Sequence, residues 1–307
     1  MRILVTGASG FVGRVTCRYL AEHGHQVTGM ARSEIDIDGV ETVRGGFTIG
    51  ALAGLSLRDA PFDAIVHLAA ASTVRESFAD PLGYFEANTV STQRLLTLAR
   101  DRGVPMPFIL ASTSAVYGDR GGALAEDMPP APGSPYATSK LAAEDLVRWA
   151  ARAGMIGGMV LRLFNVSGAA YGVVDTSPTR ITGNAVRAAA GLIPHVSVNG
   201  DGSVLREFTH VLDVSAAILL AIERTELGQA ETVNIGTGVG VSVADVIAAA
   251  GDVSGRPVPV EYRPTANESA ALVSNPARAG TVLGWKPTRS SLERIVSDVW
   301  AHRKLLG

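Results

Sequence analysis

The chain opens with a short apolar strand that runs directly into a string of glycines. Residues 2–6 read RILVT, Gly7, Gly10 and Gly13 follow at intervals of three, and an apolar helical pattern then extends to His23. In such a unit the first glycine permits a tight turn, the second lets the backbone approach a pyrophosphate, and the third allows close packing of helix on strand. The helix N-terminus faces the phosphates. The pattern therefore predicts a dinucleotide-binding turn, although its glycine spacing differs from the commonest one.

Strand and helix patterns alternate over the first part of the chain. Beyond the first unit, buried β-type runs and intervening helical patterns occur at residues 26–30, 63–70, 80–102, 108–111, 136–153 and 159–164. This alternation predicts an α/β fold with a Rossmann-type doubly wound parallel sheet and right-handed crossovers. The carboxyl ends of the parallel strands then meet at one edge, which is where such sheets bind ligands.

The composition changes after about residue 170, where Gly, Pro, Ser and Thr become frequent. We expect residues 1–170, with strand and helix returns at about 204–250, to form a dinucleotide-binding domain. Residues 171–203 and 251–307 are expected to form a smaller C-terminal substrate-binding lobe. Within residues 204–250, Asp213 is predicted to cap the helix that follows it.

Three polar residues fall where one buried strand ends and the next helix begins. Thr113 follows the run at 108–111, and Tyr136 and Lys140 lie four residues apart, so that one helix face presents both. A phenol with a pKa near ~10 is a poor base at neutral pH unless a cation favours its anion, and Lys140 has the spacing to supply that cation. Such a spacing also arises by chance. Together with Thr113 and the glycine turn, however, it predicts carbinol oxidation or carbonyl reduction beside a hydride carrier.

Composition narrows the range of partners. With 307 residues, 47% hydrophobic residues and a formal net charge of −2, the chain is expected to be globular, with neither nucleic acid nor an anionic membrane as partner. Its single cysteine, Cys17, is expected to be a small core residue. We predict no signal peptide, no membrane span, which needs ~20 apolar residues, and no metal site. A cytoplasmic protein is expected.

The end of the second strand bears on the choice of dinucleotide. An acidic side chain there usually holds the ribose 2′-hydroxyl of NAD, but this chain has Ala31, followed by Arg32 and Ser33. An arginine at this place can accommodate the 2′-phosphate of NADP. NAD is the expected cofactor, with NADP as the alternative.

These motifs resemble those of the extended short-chain dehydrogenase/reductases, in the NAD-dependent epimerase/dehydratase family, and within it the UDP-glucose 4-epimerase group. The resemblance covers nearly the whole chain. In chain order its motifs are Gly7-x-x-Gly10-x-x-Gly13, His67-Leu68-Ala69-Ala70, Ser112-Thr113-Ser114-Ala115-Val116-Tyr117-Gly118, Tyr136-x-x-x-Lys140, Leu161-Arg162-Leu163-Phe164-Asn165, Arg206-Glu207-Phe208-Thr209-His210-Val211, Asn234-Ile235-Gly236-Thr237-Gly238 and Leu283-Gly284-Trp285.

The resemblance assigns roles by position. Tyr136 would be the acid/base, Lys140 would hold the nicotinamide ribose and lower the pKa of Tyr136, and Thr113 would be their hydroxyl partner. The cofactor site that it implies consists of Gly7, Ser9, Gly10, Phe11, Val12, Gly13, Arg32, Ser33, Leu68, Ala69, Ala70, Ser72, Ala111, Tyr136 and Lys140. The implied substrate site consists of Ser72, Thr113, Ser114, Tyr136, Asn165, Asn184, Arg206 and Arg263, with the two arginines on the diphosphate.

Two residues beside Thr113 distinguish the subfamilies. Related 4,6-dehydratases carry an Asp-Glu pair there, whereas Ser114 and Ala115 resemble the epimerases. The resemblance thus implies a nucleotide-sugar C4 epimerase, with a UDP-hexose as expected substrate, acting by transient hydride transfer through a 4-keto intermediate. The alternatives are an NADPH-dependent 4-ketoreductase of a nucleotide-activated or specialised-metabolite sugar and a non-catalytic dinucleotide-sensing protein.

Departures from the epimerase pattern cluster at the adenosine end of the cofactor site. Besides Ala31 and Arg32, the chain has Gly45-Gly46-Phe47 where related enzymes carry a Gly-Asp pair that contacts adenine. These departures leave the choice between NAD and NADP open.

Two helices that form a dimer interface in related enzymes correspond to the patterns at 80–102 and 136–153. Apolar residues such as Leu95, Leu98 and Leu146 occupy them, although core packing explains those residues equally well. The resemblance implies a homodimer.

Overall fold

The computed structural model describes residues 1–46, 62–265 and 271–307. The strands are β1 Arg2–Thr6, β2 Gln26–Ala31, β3 Glu41–Arg44, β4 Ala64–His67, β5 Met106–Thr113, β6 Ala123–Leu124, β7 Ile156–Leu163, β8 Asn165–Ser167, β9 Ala169–Ala170, β10 Val173–Val174, β11 Val196–Asn199, β12 Leu205–Arg206, β13 Phe208–His210, β14 Ala230–Ile235, β15 Val241–Ser242, β16 Val260–Arg263 and β17 Ala271–Ser274. The α-helices are α1 Phe11–Glu22, α2 Val74–Ser77, α3 Pro81–Phe85, α4 Ser91–Asp101, α5 Pro135–Arg152, α6 Ile181–Ala189, α7 Val211–Arg224, α8 Val243–Ser254 and α9 Leu292–Ala301.

The main sheet confirms the predicted fold class. Over the described residues it has seven strands in the order β14-β7-β5-β4-β1-β2-β3, and every neighbouring pair in it is parallel. The order reverses direction between β1 and β4, which lie side by side although β2 and β3 separate them in sequence. This reversal makes a crevice at the carboxyl ends of β1 and β4.

Successive residues of the central strands point into two different cores. Ile3 and Val5 pack on one face with residues of α1 and α7, such as Leu20 and Ile218. Leu4 packs on the other face with residues of α4 and α5. Because both faces of a doubly wound sheet are covered by helices, its central strands carry runs of consecutive apolar residues rather than an alternating pattern.

A third core lies away from the main sheet. Residues of α6, α8 and α9, among them Val186, Val246 and Ile295, pack with Val196 and Phe208. The helix pattern seen near residues 183–191 therefore corresponds to α6, which contributes to a hydrophobic cluster distinct from the two that cover the sheet.

Two predicted elements are interrupted in the structure. The helix expected over 80–102 consists of α3, a π-helical turn at Glu86–Val90, and α4. The strand expected over 206–211 is broken at Glu207, whose buried side chain accepts hydrogen bonds from Gly238 N (2.8 Å) and Ser274 N (3.0 Å). Because the buried carboxylate of Glu207 binds backbone donors of other segments, Glu207 itself is not part of either flanking strand.

The prediction that Asp213 caps a helix is wrong. Helix α7 begins at Val211 with His210 as its N-cap, and Asp213 lies inside the first turn. Its buried carboxylate accepts hydrogen bonds from Arg289 N (2.8 Å), Ser290 Oγ (2.6 Å) and Thr288 N (3.1 Å). Asp213 therefore anchors the segment before α9 to the main sheet domain, a long-range role that a local pattern does not reveal.

None of the helices in the described ranges is long and apolar enough to cross a membrane. Cys17 is buried, as predicted, and burial raises the pKa of its thiol to about 12.

We expect Asp213→Ala to lower the free energy of unfolding by about 3 kcal/mol, because it removes a buried carboxylate that accepts several part-buried hydrogen bonds from residues 288–290. Asp245→Ala is a matched control: that carboxylate is exposed and completes the capping box of α8, so its loss should cost about 1 kcal/mol or less. Urea denaturation followed by circular dichroism measures both. Equal losses for the two variants would contradict the anchoring role.

Candidate active site

The glycine turn after β1 packs against the end of β4. Gly7 has φ +73°, and a Cβ on it would lie 2.6 Å from the backbone nitrogen of Ala69. A Cβ on Gly13 would overlap the carbonyl oxygen of Gly7, whereas one on Gly10 would be 3.4 Å from its nearest neighbour. Gly7 and Gly13 are therefore fixed by turn and helix packing, and Gly10 leaves room over the turn. Gly10 is the N-cap of α1 and has no side chain to bind the first backbone amides of that helix. These amides face the space above the glycine turn, which fits a pyrophosphate.

The segment after β4 forms the next wall of the crevice. Leu68 and Ala69 are half-buried, and Ala70 and Ser72 are exposed. His67 is buried and neutral, because burial, and then the charge of Lys140, lower its pKa to about 3. Its Nδ1 lies 2.7 Å from Thr6 Oγ1, which also accepts from Ala69 N at 3.3 Å. These contacts tie the ends of β1 and β4 together, beside the glycine turn.

The structure brings Thr113, Tyr136 and Lys140 together. Thr113 is the last residue of β5, and Tyr136 and Lys140 are buried on the first turns of α5, which Ser134 caps by accepting from Ala137 N at 3.2 Å. The Thr113 side chain is close enough to Tyr136 to lower the pKa of its phenol. Since β5 is the neighbour of β4 in the sheet, the three residues lie at the same edge as the glycine turn.

Burial dominates the electrostatics of this group. It raises the pKa of Tyr136, against the Thr113 side chain and the positive charge of Arg180, which both lower that pKa. This direction is opposite to the one predicted from the Tyr-x-x-x-Lys spacing. Burial likewise lowers the pKa of Lys140 to about 8, although Glu144 raises it. In the chain alone, the phenol therefore holds its proton at neutral pH.

Asn88 has a structural role, with partners that are not local in sequence. It lies in the π-helical turn between α3 and α4, and its amide binds both backbone groups of Ala71 (2.9 and 3.1 Å). The same amide donates to Ser139 Oγ at 2.9 Å, and Thr89 Oγ1 donates to the carbonyl of Ser139. The π turn thus joins the wall after β4 to the helix that carries Tyr136 and Lys140.

Sequence reasoning missed a buried ionic cluster beside Lys140. Glu144 is fully buried one turn after Lys140 and is bound by Arg162, Arg148 and Ser112. The sequence does contain one signal of this cluster, which is Arg162 in the otherwise apolar strand β7. A buried guanidinium requires an acidic partner, which the sequence analysis did not look for.

The residues predicted for the substrate are spread over several elements beyond the main sheet. Asn165 begins β8 and donates to the carbonyl of Glu207 at 3.1 Å. Arg206 lies in β12 and donates to the carbonyl of Leu205 at 2.8 Å, while Arg263 in β16 pairs with Glu261 at 2.9 Å. Arg206 and Arg263 belong to different small sheets.

The other predicted residues lie around the crevice or at its ends. Asn184 is on α6 and donates to the carbonyl of Pro178 at 2.8 Å, and Ser114 begins the 3-10 turn after Thr113. Ala111 lies in β5, two residues before Thr113. Ser9 is exposed, and Phe11 and Val12 are half-buried on the first turn of α1. Arg32 and Ser33 are exposed after β2, and Phe47 lies outside the described residues.

Comparisons with known proteins agree with this geometry. The model of the NAD dependent epimerase/dehydratase family matches residues 3–236. A UDP-glucose 4-epimerase of Corynebacterium glutamicum is 33% identical, over 100% of this chain and 97% of that protein. The crystal structure of UDP-glucose 4-epimerase from Brucella ovis in complex with NAD is 30% identical, with a TM-score of 0.92 over 98% of each chain. The structure of MoeE5 in complex with UDP-glucose and NAD is 32% identical, with a TM-score of 0.87 over 99% of this chain and 100% of that one.

The match of the family model over most of the chain and the full-length similarity to relatives at 30% identity or more lead to one conclusion. This chain belongs to the NAD dependent epimerase/dehydratase family.

Proposed function

We propose that this protein is a nucleotide-sugar C4 epimerase that uses NAD and acts on a UDP-hexose. The observation that carries the proposal is the position of Thr113 at the end of β5 and of Tyr136 and Lys140, both buried, on the first turns of α5, at the sheet edge that holds the glycine turn. The similarity to UDP-glucose 4-epimerases over the full length supports it. So do related structures in complex with UDP-sugars and NAD.

The chemistry assigns each residue a task. Bound NAD supplies the acceptor and donor of the C4 hydride. Tyr136 takes the proton of the C4 hydroxyl as that carbon becomes a carbonyl, and returns it when the hydroxyl is restored with the opposite configuration. Thr113 holds the same oxygen through its hydroxyl. The raised pKa of Tyr136 keeps the phenol protonated at neutral pH, so that it is a weak acid. Its conversion to a base requires nearby positive charge, a role that we assign to Lys140.

The substrate must be held by its nucleotide end, because the keto-sugar has to turn over between the two hydride transfers. Arg206 and Arg263 are proposed to grip the diphosphate, and Asn165 to contact the sugar. Arg263 lines a surface cleft of about 830 Å³ with Asn199, Asp201 and Tyr262. Its ion pair with Glu261 is exposed and so exchanges readily for a phosphate.

NAD is the cofactor. The neighbouring structures contain NAD, and the glycine turn of this chain fits a pyrophosphate. Arg32 is exposed at the adenosine end, where it can stack on the base without selecting a 2′-phosphate.

We also propose the expected division into a dinucleotide-binding domain and a substrate-binding lobe. The third hydrophobic core supports a separate lobe, and it also includes Phe208 and Val246, from the range 204–250 that was expected to belong to the dinucleotide-binding domain. A cytoplasmic location is part of the proposal. A single buried cysteine, which forms no internal disulfide, supports a reducing compartment.

The protein as purified should carry NAD and interconvert C4 epimers of a UDP-hexose without added cofactor. Denaturing it, identifying the released dinucleotide, and incubating the native enzyme with a panel of UDP-hexoses tests both points. Consumption of added NADPH with a UDP-keto-sugar, without interconversion, would instead identify a ketoreductase.

Tyr136→Phe should reduce kcat by about 10²–10⁴-fold, because it removes the proton-transferring hydroxyl while keeping the ring. Thr113→Ser keeps a hydroxyl at the end of β5 and should retain most activity, whereas Thr113→Ala should not. Steady-state kinetics at several pH values, with retained NAD measured in each variant, provides the comparison. Wild-type turnover by Tyr136→Phe with its NAD still bound would remove Tyr136 from the mechanism.

We propose a homodimer formed through the helices that flank the active site. Leu95 and Leu98 are in the core, but Phe78 and Leu82, before and in α3, are 63% and 82% exposed, and Trp149 in α5 is 64% exposed. Exposed large apolar side chains on adjacent helices are typical of an interface. Light scattering should give twice the mass of the chain, and Leu82→Asp combined with Trp149→Asp should give the monomer. A wild-type monomer at micromolar concentration would contradict the proposal.

A further inference from the structure

A buried carboxylate lies one helical turn beyond Lys140. Glu144 has no exposed surface and shares the inward face of α5 with Lys140, which is 2% exposed. Ser112 Oγ donates to one of its oxygens at 2.5 Å, and Arg162 contacts both of them at 3.1 and 2.8 Å. Arg148 donates to it as well, at 2.6 Å. We propose that Glu144 is a positioning residue of the epimerase reaction, which keeps the Lys140 ammonium charged in a site from which water is excluded.

The cluster around Glu144 is poorly explained as a device for stability. A buried ion pair costs desolvation energy, and apolar residues of the same volume often stabilise a fold as well or better. The pair is also imperfect, because Arg162 Nη1 is buried without a hydrogen-bond partner. The guanidinium lies over the ring of Tyr117 at 4.8 Å instead. A costly and incompletely satisfied charge cluster beside a functional lysine is typical of a functional site.

The partners of Glu144 are all hydrogen-bond donors. Two guanidinium groups and one hydroxyl donate to its two oxygens, so the carboxylate accepts hydrogen bonds that replace its hydration. It therefore presents a negative charge to Lys140, four residues earlier on the helix.

The other elements around Lys140 do not supply that charge. His67, at the end of β4, is neutral. Tyr84 on α3 packs edge-on against Tyr136, whose raised pKa keeps its phenol neutral unless it is acting as base. Strand β5 faces α5 with the uncharged Ser112 and Thr113, and β7 contributes the cation Arg162. Glu144 is thus the anion that acts on Lys140.

The size of the effect of Glu144 matters because the pKa of Lys140 is close to neutral pH. Burial lowers its pKa to about 8, so about one tenth of the amine is neutral at pH 7. An opposite charge at short range shifts a pKa by about one unit or more. Without Glu144, about half or more of Lys140 would be neutral at pH 7 and unable to assist the phenolate of Tyr136. The role of Glu144 in epimerisation rests on the proposed function. The titration of Lys140 that tests it does not.

The chain contains three lysines, Lys140, Lys286 and Lys304, which makes a direct titration practical. The full-length protein is labelled with ¹³C at the lysine Cε, the signal of Lys140 is assigned by its loss in Lys140→Arg, and its shift is followed against pH. In Glu144→Gln the midpoint for Lys140 should fall by about one pH unit or more relative to wild type. The signals of the exposed Lys286 and Lys304 should not move.

Two further variants separate charge from packing. Glu144→Asp disturbs the same contacts but keeps the carboxylate, so the midpoint should stay near that of wild type. Glu144→Gln combined with Arg162→Met removes both ions of the buried pair, leaves no unpaired charge, and preserves the fold if the single variant loses it. Its midpoint for Lys140 should still fall.

The activity of the same variants provides a second readout. For an active wild type, the alkaline limb of kcat/KM in Glu144→Gln should move to lower pH, with about tenfold lower activity at pH 8 and little change at low pH. An unchanged Lys140 midpoint in folded Glu144→Gln, or an equal fall in Glu144→Asp, would overturn the inference. An inactive wild type with the expected midpoints would instead count against the proposed function alone.

Discussion

The close approach of the Gly7 backbone to the backbone of Ala69 is the constraint on which the site depends. It is possible only because β1 and β4 are adjacent parallel strands and because Gly7, at φ +73°, has no Cβ to separate them. Thr6 and His67 lock the same two strand ends together by a buried hydrogen bond. With these ends fixed, the register of β4 with β5 places Thr113 at the same edge. The pyrophosphate turn and the proton-transfer group are thus held by one sheet.

The parts of this arrangement that follow from local rules could be predicted from the sequence. Glycine spacing, apolar runs and the Tyr136–Lys140 interval identified the fold, the cofactor turn and the candidate acid/base group, because each depends on neighbours within a few residues. The capping role assigned to Asp213 failed because its partners lie some 75 residues further along the chain. The direction of the Tyr136 pKa failed for a related reason: burial is set by packing, and spacing alone does not show it.

Buried charge recurs around the site, and in each case specific partners determine the protonation state. His67 is neutral because it is enclosed and close to Lys140. Burial lowers the pKa of Lys140 to about 8, although Glu144 raises it. Because this pKa is close to neutral pH, the charge of Lys140 responds strongly to any further charge that binds beside it.

The segments around Arg206 and Asn165 are held together by Glu207, which is not among the residues proposed to bind the substrate. Glu207 is buried, and its two oxygens accept from Thr237 N, Gly238 N and the backbone and hydroxyl of Ser274, at 2.8 to 3.1 Å. These donors come from the loop after β14 and from β17, while the carbonyl of Glu207 accepts from Asn165. Glu207 therefore joins three chain segments around Arg206, two through its carboxylate and one through its carbonyl. Burial raises the pKa of Glu207, against these hydrogen bonds to its carboxylate, which lower it. The geometry at Arg206 and Asn165 is consequently coupled to the packing of β17, far from either residue in sequence.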